Sequence, residues 1–186
     1  MPELKFPKIE NYIGGSQDWY PVGHMRLGGC STCTAAEISI YLSNEKGKTA
    51  LCPKIPQSIK EFVDYSKKIY KYIYPRFMGL HKLPLYVSGY EKFAQECGEK
   101  VEISCLDGNE DVKKAARFIK NAIDEGYPIA YLLLKHRDED IDEIEWHWFT
   151  VMGYEEKAED LTVKFVTWGE KYEISLAKLW NTGKQQ

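Results

Sequence analysis

Residues 127–176, YPIAYLLLKHRDEDIDEIEWHWFTVMGYEEKAEDLTVKFVTWGEKYEISL, hold four apolar runs in succession. They are YPIAYLLLK, EWHWFTVMGYE, LTVKFVTW and KYEISL, all rich in the β-branched and aromatic residues that suit a pleated surface. Parallel strands need a crossover of a dozen or more residues, usually a helix, and no helical period separates these runs. They therefore predict an antiparallel sheet, followed by a short helix ending near Trp180. The polar run from His136 to Glu145, HRDEDIDEIE, reads as a solvated loop between two strands.

The other half of the chain has a helical period. After Gly28-Gly29, the stretch CSTCTAAEISIYLS places Ala35, Ile38 and Leu42 on one face, and Thr34-x-x-Glu37 matches a capping box, so a buried helix is expected from about residue 33 to 43. Pro56 to Tyr74 repeats apolar residues at Ile59, Phe62/Val63, Ile69/Tyr70 and Ile73, the pattern of an amphipathic helix. Pro75 to Gly89 carries glycine and proline and is expected to interrupt regular structure, with a shorter helix over Tyr90 to Cys97. VEISCL, Val101 to Leu106, alternates like a strand. Asn109 then caps a helix whose Val112, Ala116, Ile119 and Ile123 share a face up to Gly126. Helices first and strands second give an α+β fold, helices packed against a C-terminal antiparallel sheet.

One domain is expected from 186 residues. Hydrophobic residues at 44% and charged residues at 28% supply a core and exclude a disordered or fibrous chain. The net charge of −3 leaves no electrostatic footprint for nucleic acid. The longest apolar stretches, Ile129 to Leu134 and Trp146 to Gly153, fall far short of a membrane span of roughly 18 residues. The N-terminal residues carry charges and prolines where a secretory signal has its apolar region, and the five cysteines form no dense framework, so a cytoplasmic protein with reduced thiols is expected.

Two places carry chemistry: GGCSTC at the start of the first buried helix and WHWFTVMGY in the sheet half. A cysteine at a helix N-terminus feels unpaired N–H groups and the positive end of the dipole, and an adjacent imidazole strengthens the stabilisation of thiolate. Cys30 and Cys33 both stand near that start, and either alone is as well explained by core packing. His147, between Trp146 and Trp148, is by itself equally a hydrogen-bonded packing residue.

In combination these segments resemble papain-like cysteine peptidases. HWFTVMGY, His147 to Tyr154, is similar to the family's histidine strand, and VTWG, Val166 to Gly169, to the Asn-Ser-Trp-Gly segment that follows it. GGCSTCTAAEISIYL with AIDEGYPIAYLLL (Ala122 to Leu134) is nearest the bacterial double-glycine leader peptidase-like branch. The resemblance spans residues 12–183 and implies a single papain-like domain of bacterial, cytoplasmic type that acts on a peptide or small amide, with no cofactor and no metal. It implies Cys30 as nucleophile, by the Gly-Cys pattern of the leader-peptidase branch. Cys33 is the alternative, by the second-cysteine pattern of plant papains.

The resemblance further makes His147 general base and acid, and Gln17 the side-chain donor of the oxyanion hole, at a longer spacing than the family's. The family's Asn falls on Val166, which cannot accept a hydrogen bond. Thr167 or a backbone carbonyl then orients the imidazole, or the site is a dyad, or it is silent. A catalytically inactive peptide- or ligand-binding module of the same fold is therefore the rival reading.

Other constellations are weaker. Cys30-x-x-Cys33 has dithiol redox spacing without the βαβ setting that such proteins use. For zinc, Cys52, His24, His81 and His136 supply no second paired spacing. Asp138, Glu139, Asp140, Asp142 and Glu143 lack the spaced acid/glycine pattern of a calcium loop. Oligomeric state is not encoded in any of these patterns.

Overall fold

In the computed structural model, which describes residues 2–76, 79–158 and 160–182, the chain is α+β, with α-helices before its main sheet and a short one after it. Strands β3 (Ile129–Leu133), β4 (His147–Lys157), β5 (Asp160–Thr167) and β6 (Glu170–Ser175) form an antiparallel sheet in sequence order. A small ladder of β1 (Lys8–Ile9) and β2 (Tyr12–Ile13) precedes the helices. No helix among the described residues is long and apolar enough to cross a membrane.

The helices are α1 (Gly23–Gly28), α2 (Cys30–Glu45), α3 (Ile59–Tyr70), α4 (Leu83–Glu96), α5 (Val112–Asp124) and α6 (Leu176–Trp180). Helix α2 is central and buried along most of its length, so its hydroxyl groups find partners inside. Thr32 Oγ1 donates to Ile73 O at 2.9 Å, and Ser43 Oγ to Cys52 O at 2.8 Å. Two apolar clusters sit on opposite faces of the sheet. Trp148 joins the cluster of α2, α3 and α4, while Phe149 and Val151 join that of α5 and α6, as strand alternation requires.

Several local expectations are corrected. Helix α2 starts at Cys30, not near residue 33, because α1 runs into it through Gly29 and leaves no free first turn for a Thr34 cap. The Glu37 carboxylate bonds elsewhere. Pro84 sits in the first turn of α4, where its missing N–H costs nothing, so that helix begins well before Tyr90. Phe77 and Met78 of the interrupting stretch lie outside the described residues. VEISCL joins no ladder and packs Val101 and Ile103 against the helical cluster instead. The α5 cap is Asp111, whose side chain accepts from Lys113 N, and not Asn109. The acidic loop contains a 3₁₀ segment, Glu139–Ile144.

Gly29 is required by the chain's own packing. A Cβ there would lie 2.2 Å from Met25 O and 2.9 Å from the Tyr20 ring. Gly29→Ala is expected to part α1 from α2 and cost about 1–3 kcal/mol, as overpacking does, visible as a lower melting temperature.

Candidate active site

Cys30 is the first residue of α2 and His147 the first of β4, and the helix packs against that strand. Together with Gln17, Cys33, Glu37 and Thr167 they line one small cavity of about 10 Å³, room for about one water. The site residues read from the sequence are thus brought together. The Cys30 thiol lies beside the backbone N–H of Trp148, the residue after His147.

His147 is 6% exposed, and its Nε2 is 2.7 Å from Thr167 Oγ1. The register that pairs Thr150 with Val166 sets Thr167 one step further along β5, diagonal to the histidine. Val166 is core and packs with Phe6, Tyr41 and Met152. Trp168 stacks on the imidazole, ring centroids 4.6 Å apart. It does so from the two-residue β5–β6 turn, where Trp168 and Gly169 both have positive φ, 51° and 78°. Such turns favour Asn-Gly or Asp-Gly, so a tryptophan there is held in a sparsely populated conformation. Trp146, on the other side of His147, is likewise at φ 53° and is 49% exposed.

Burial dominates the electrostatics. It pushes the Cys30 thiol up, against the backbone N–H groups of Trp148, Ser31 and Cys30 that favour thiolate. Desolvation alone lowers His147 to about 4. Burial therefore opposes the lowering expected from the helix terminus and favours the neutral forms of both the thiol and the imidazole.

The two sulfurs separate by surroundings. Burial also raises Cys33, well above the usual thiol range, and the charges of Glu37 and Cys30 push the same way. Its neighbours include Tyr20 and Glu37, and it lines the small cavity. Cys30 additionally lines a groove of about 280 Å³ with Leu27, Leu80, Leu134 and Trp146, and Cys33 does not. Only Cys30, among the described residues, borders both spaces. Tyr86 and Tyr90 are buried on α4, while Arg76, Gly79 and His81 line the groove.

Gln17 Nε2 donates to Arg26 O at 2.9 Å, and its Oε1 is buried without a partner.

The residue that sequence reasoning missed is Glu37, 2% exposed. Its Oε1 accepts from Gly15 N at 2.8 Å, and its Oε2 is 2.5 Å from Thr150 Oγ1. Burial raises it to about 8, despite these two bonds. The signal was present, an acid amid apolar and small residues in TAAEISI, but a local capping pattern explained it first.

Cys30 and Cys33 are free thiols. No three His, Cys, Asp or Glu side chains converge as a metal site among the described residues. Cys52 bonds Lys54 O, His24 bonds Tyr70 and His81 faces Trp146. Of the candidate calcium acids, the Glu139 and Asp140 side chains lie outside the described residues. No family model matches the chain, and neither the curated proteins nor the solved structures searched contain a match.

Proposed function

We propose that the chain is a papain-like cysteine peptidase or amide hydrolase in which Cys30 is the nucleophile and His147 its base. The observation that carries this reading is the shared cavity. In it the Cys30 thiol lies beside Trp148 N–H, and His147 is fixed through Nε2 to Thr167. Holding Nε2 leaves Nδ1 as the ring atom for proton exchange with sulfur.

The resting pair being neutral, His147 takes the Cys30 proton as Sγ attacks the scissile carbonyl carbon, and the imidazolium then gives that proton to the leaving amine. Water, deprotonated by the same ring, hydrolyses the thioester. The Gln17 amide has two N–H groups, one engaged by Arg26 O, and the second serves the oxyanion. The groove of Leu27, Leu80 and Trp146 suits an apolar peptide side chain next to the scissile bond.

A dileucyl vinyl sulfone tests the reading. It should form a covalent adduct at Cys30, retained in Cys33→Ser and lost in His147→Ala, as read by peptide mass. An absent adduct, or one confined to Cys33 or the exposed Cys105, overturns it. The first of those results would favour a silent binding module, the reading that the neutral, buried pair also supports.

Thr167→Val keeps the volume of the side chain and removes the partner of Nε2. Adduct formation is expected to slow by about 10–100-fold, and the melting temperature to fall as the buried Nε2 loses its partner, at a cost of about 1–3 kcal/mol. Wild-type rates in Thr167→Val would exclude its orienting role.

A further inference from the structure

Glu37 lies two helical turns beyond Cys30 on α2, and its carboxyl group reaches two other segments of the site. One is the loop before Gln17. Gly15 N donates to Glu37 Oε1 at 2.8 Å, and a Cβ on Gly14 would lie 2.7 Å from the same oxygen, so the loop backbone rests directly on the carboxyl. The other is β4, where Thr150 Oγ1 is 2.5 Å from Glu37 Oε2, three residues along from His147. Gly15 passes the contact on: its carbonyl accepts from Gly169 N at 2.8 Å, and Gly169 ends the turn that carries Thr167 and Trp168.

We propose that Glu37 is the positioning residue of this site, its carboxyl group holding the Gln17 loop, the His147 strand and, through Gly15, the Thr167–Trp168 turn in register with the Cys30 helix. Its kinetic consequence rests on the hydrolase reading; its structural consequence does not.

The titratable groups that face the carboxyl are Cys33 on α2, Tyr20 after the Gln17 turn and Tyr86 on α4, none of them a cation. A neutral acid therefore suits the position, with one oxygen as acceptor for Gly15 N and the other sharing a proton with Thr150. Glutamine keeps both partners once the Thr150 hydroxyl turns from donor to acceptor: its carbonyl accepts from Gly15 and its amide donates to Thr150. Alanine removes both bonds.

Amide hydrogen exchange at Gly15 and Gly169, with vinyl sulfone labelling of Cys30, tests the proposal under conditions where every variant is folded. In Glu37→Ala the two amides should exchange about 10–100-fold faster, the range set by loss of a buried hydrogen bond to a carboxyl group. Labelling should slow by about tenfold or more as the reacting groups lose alignment. Glu37→Gln should return both readouts to within about threefold of wild type, a rescue that volume filling alone does not require.

Wild-type protection at Gly15 and Gly169 in folded Glu37→Ala overturns the proposal. If Glu37→Ala does not fold, Thr150→Val removes one partner while keeping volume, and should raise exchange at the same two amides; unchanged exchange there overturns the proposal equally. Failure of the wild-type protein to label at Cys30 would sink the hydrolase reading alone, and the exchange result would still decide on Glu37.

Discussion

His147→Ala is expected to slow covalent labelling of Cys30 by about 10²–10⁴-fold, the range that a positioned general base supplies. The reason is the state of the resting pair. Cys30 is 7% exposed, and burial holds its thiol in the neutral form, so the sulfur becomes nucleophilic only as its proton leaves. In the proposed mechanism His147 is that base, and with its own titration near 4 it is unprotonated throughout the neutral range.

Two further consequences follow from that pair. The acid limb of the labelling rate should fall near pH 4 rather than near the ordinary histidine value of about 6.5. Iodoacetamide alkylation of Cys30 should share that acid limb and should also slow in His147→Ala. Cys33→Ser should label at the wild-type rate, because Cys33 lines the small cavity and not the groove.

The second large effect is on stability. Glu37 titrates near 8 in the folded protein and near 4.5 in the unfolded chain, so between those values the folded state binds the extra proton. Its contribution is complete below about pH 4.5 and is lost as pH rises through about 8. His147 works the other way. Its folded value near 4 lies below the unfolded 6.5, so its contribution is present above 6.5 and lost as pH falls towards 4.

The two trends oppose each other between about pH 4.5 and 6.5, and above 6.5 Glu37 acts alone. Stability of the wild-type protein should therefore decline from pH 6.5 to 8. Glu37→Gln, which keeps both hydrogen bonds and cannot ionise, should flatten that decline. Over the whole span from pH 4.5 to 8 the difference between the two proteins should change by about 3–5 kcal/mol, measured by urea unfolding at each pH. A constant difference would mean that Glu37 is ionised throughout.

Much of the sheet was legible because strand residues declare themselves locally. The four runs of residues 127–176 appear as β3 to β6, in order and antiparallel, since each is rich in β-branched and aromatic residues and no α-helix intervenes. What was not legible depended on partners distant in sequence. Thr34-x-x-Glu37 has the form of a cap, yet Gly15 and Thr150 claim the carboxyl, and the helix runs back to Cys30. VEISCL alternates like a strand, but no neighbour offers it a ladder.

At the site, the residue types were visible and their division of labour was not. Helix position could not separate Cys30 from Cys33, whereas the groove beside Cys30 does. Val166 stood where an orienting side chain was required. The strand pleat turns Val166 into the core and brings the next residue, Thr167, to the imidazole. The exposure of Leu27 and Trp146 along the groove depends on chain placement, which periodicity does not report.

Treatment with 1,3-dibromoacetone tests directly whether the Cys30 sulfur and the His147 ring lie within reach of one another, because the reagent joins two nucleophiles only across a three-carbon bridge. After proteolysis, the account predicts a single species that links the Cys30 peptide to the His147 peptide. Alkylation of Cys30 with no link to His147, or a bridge from Cys30 to Cys33 instead, would contradict it.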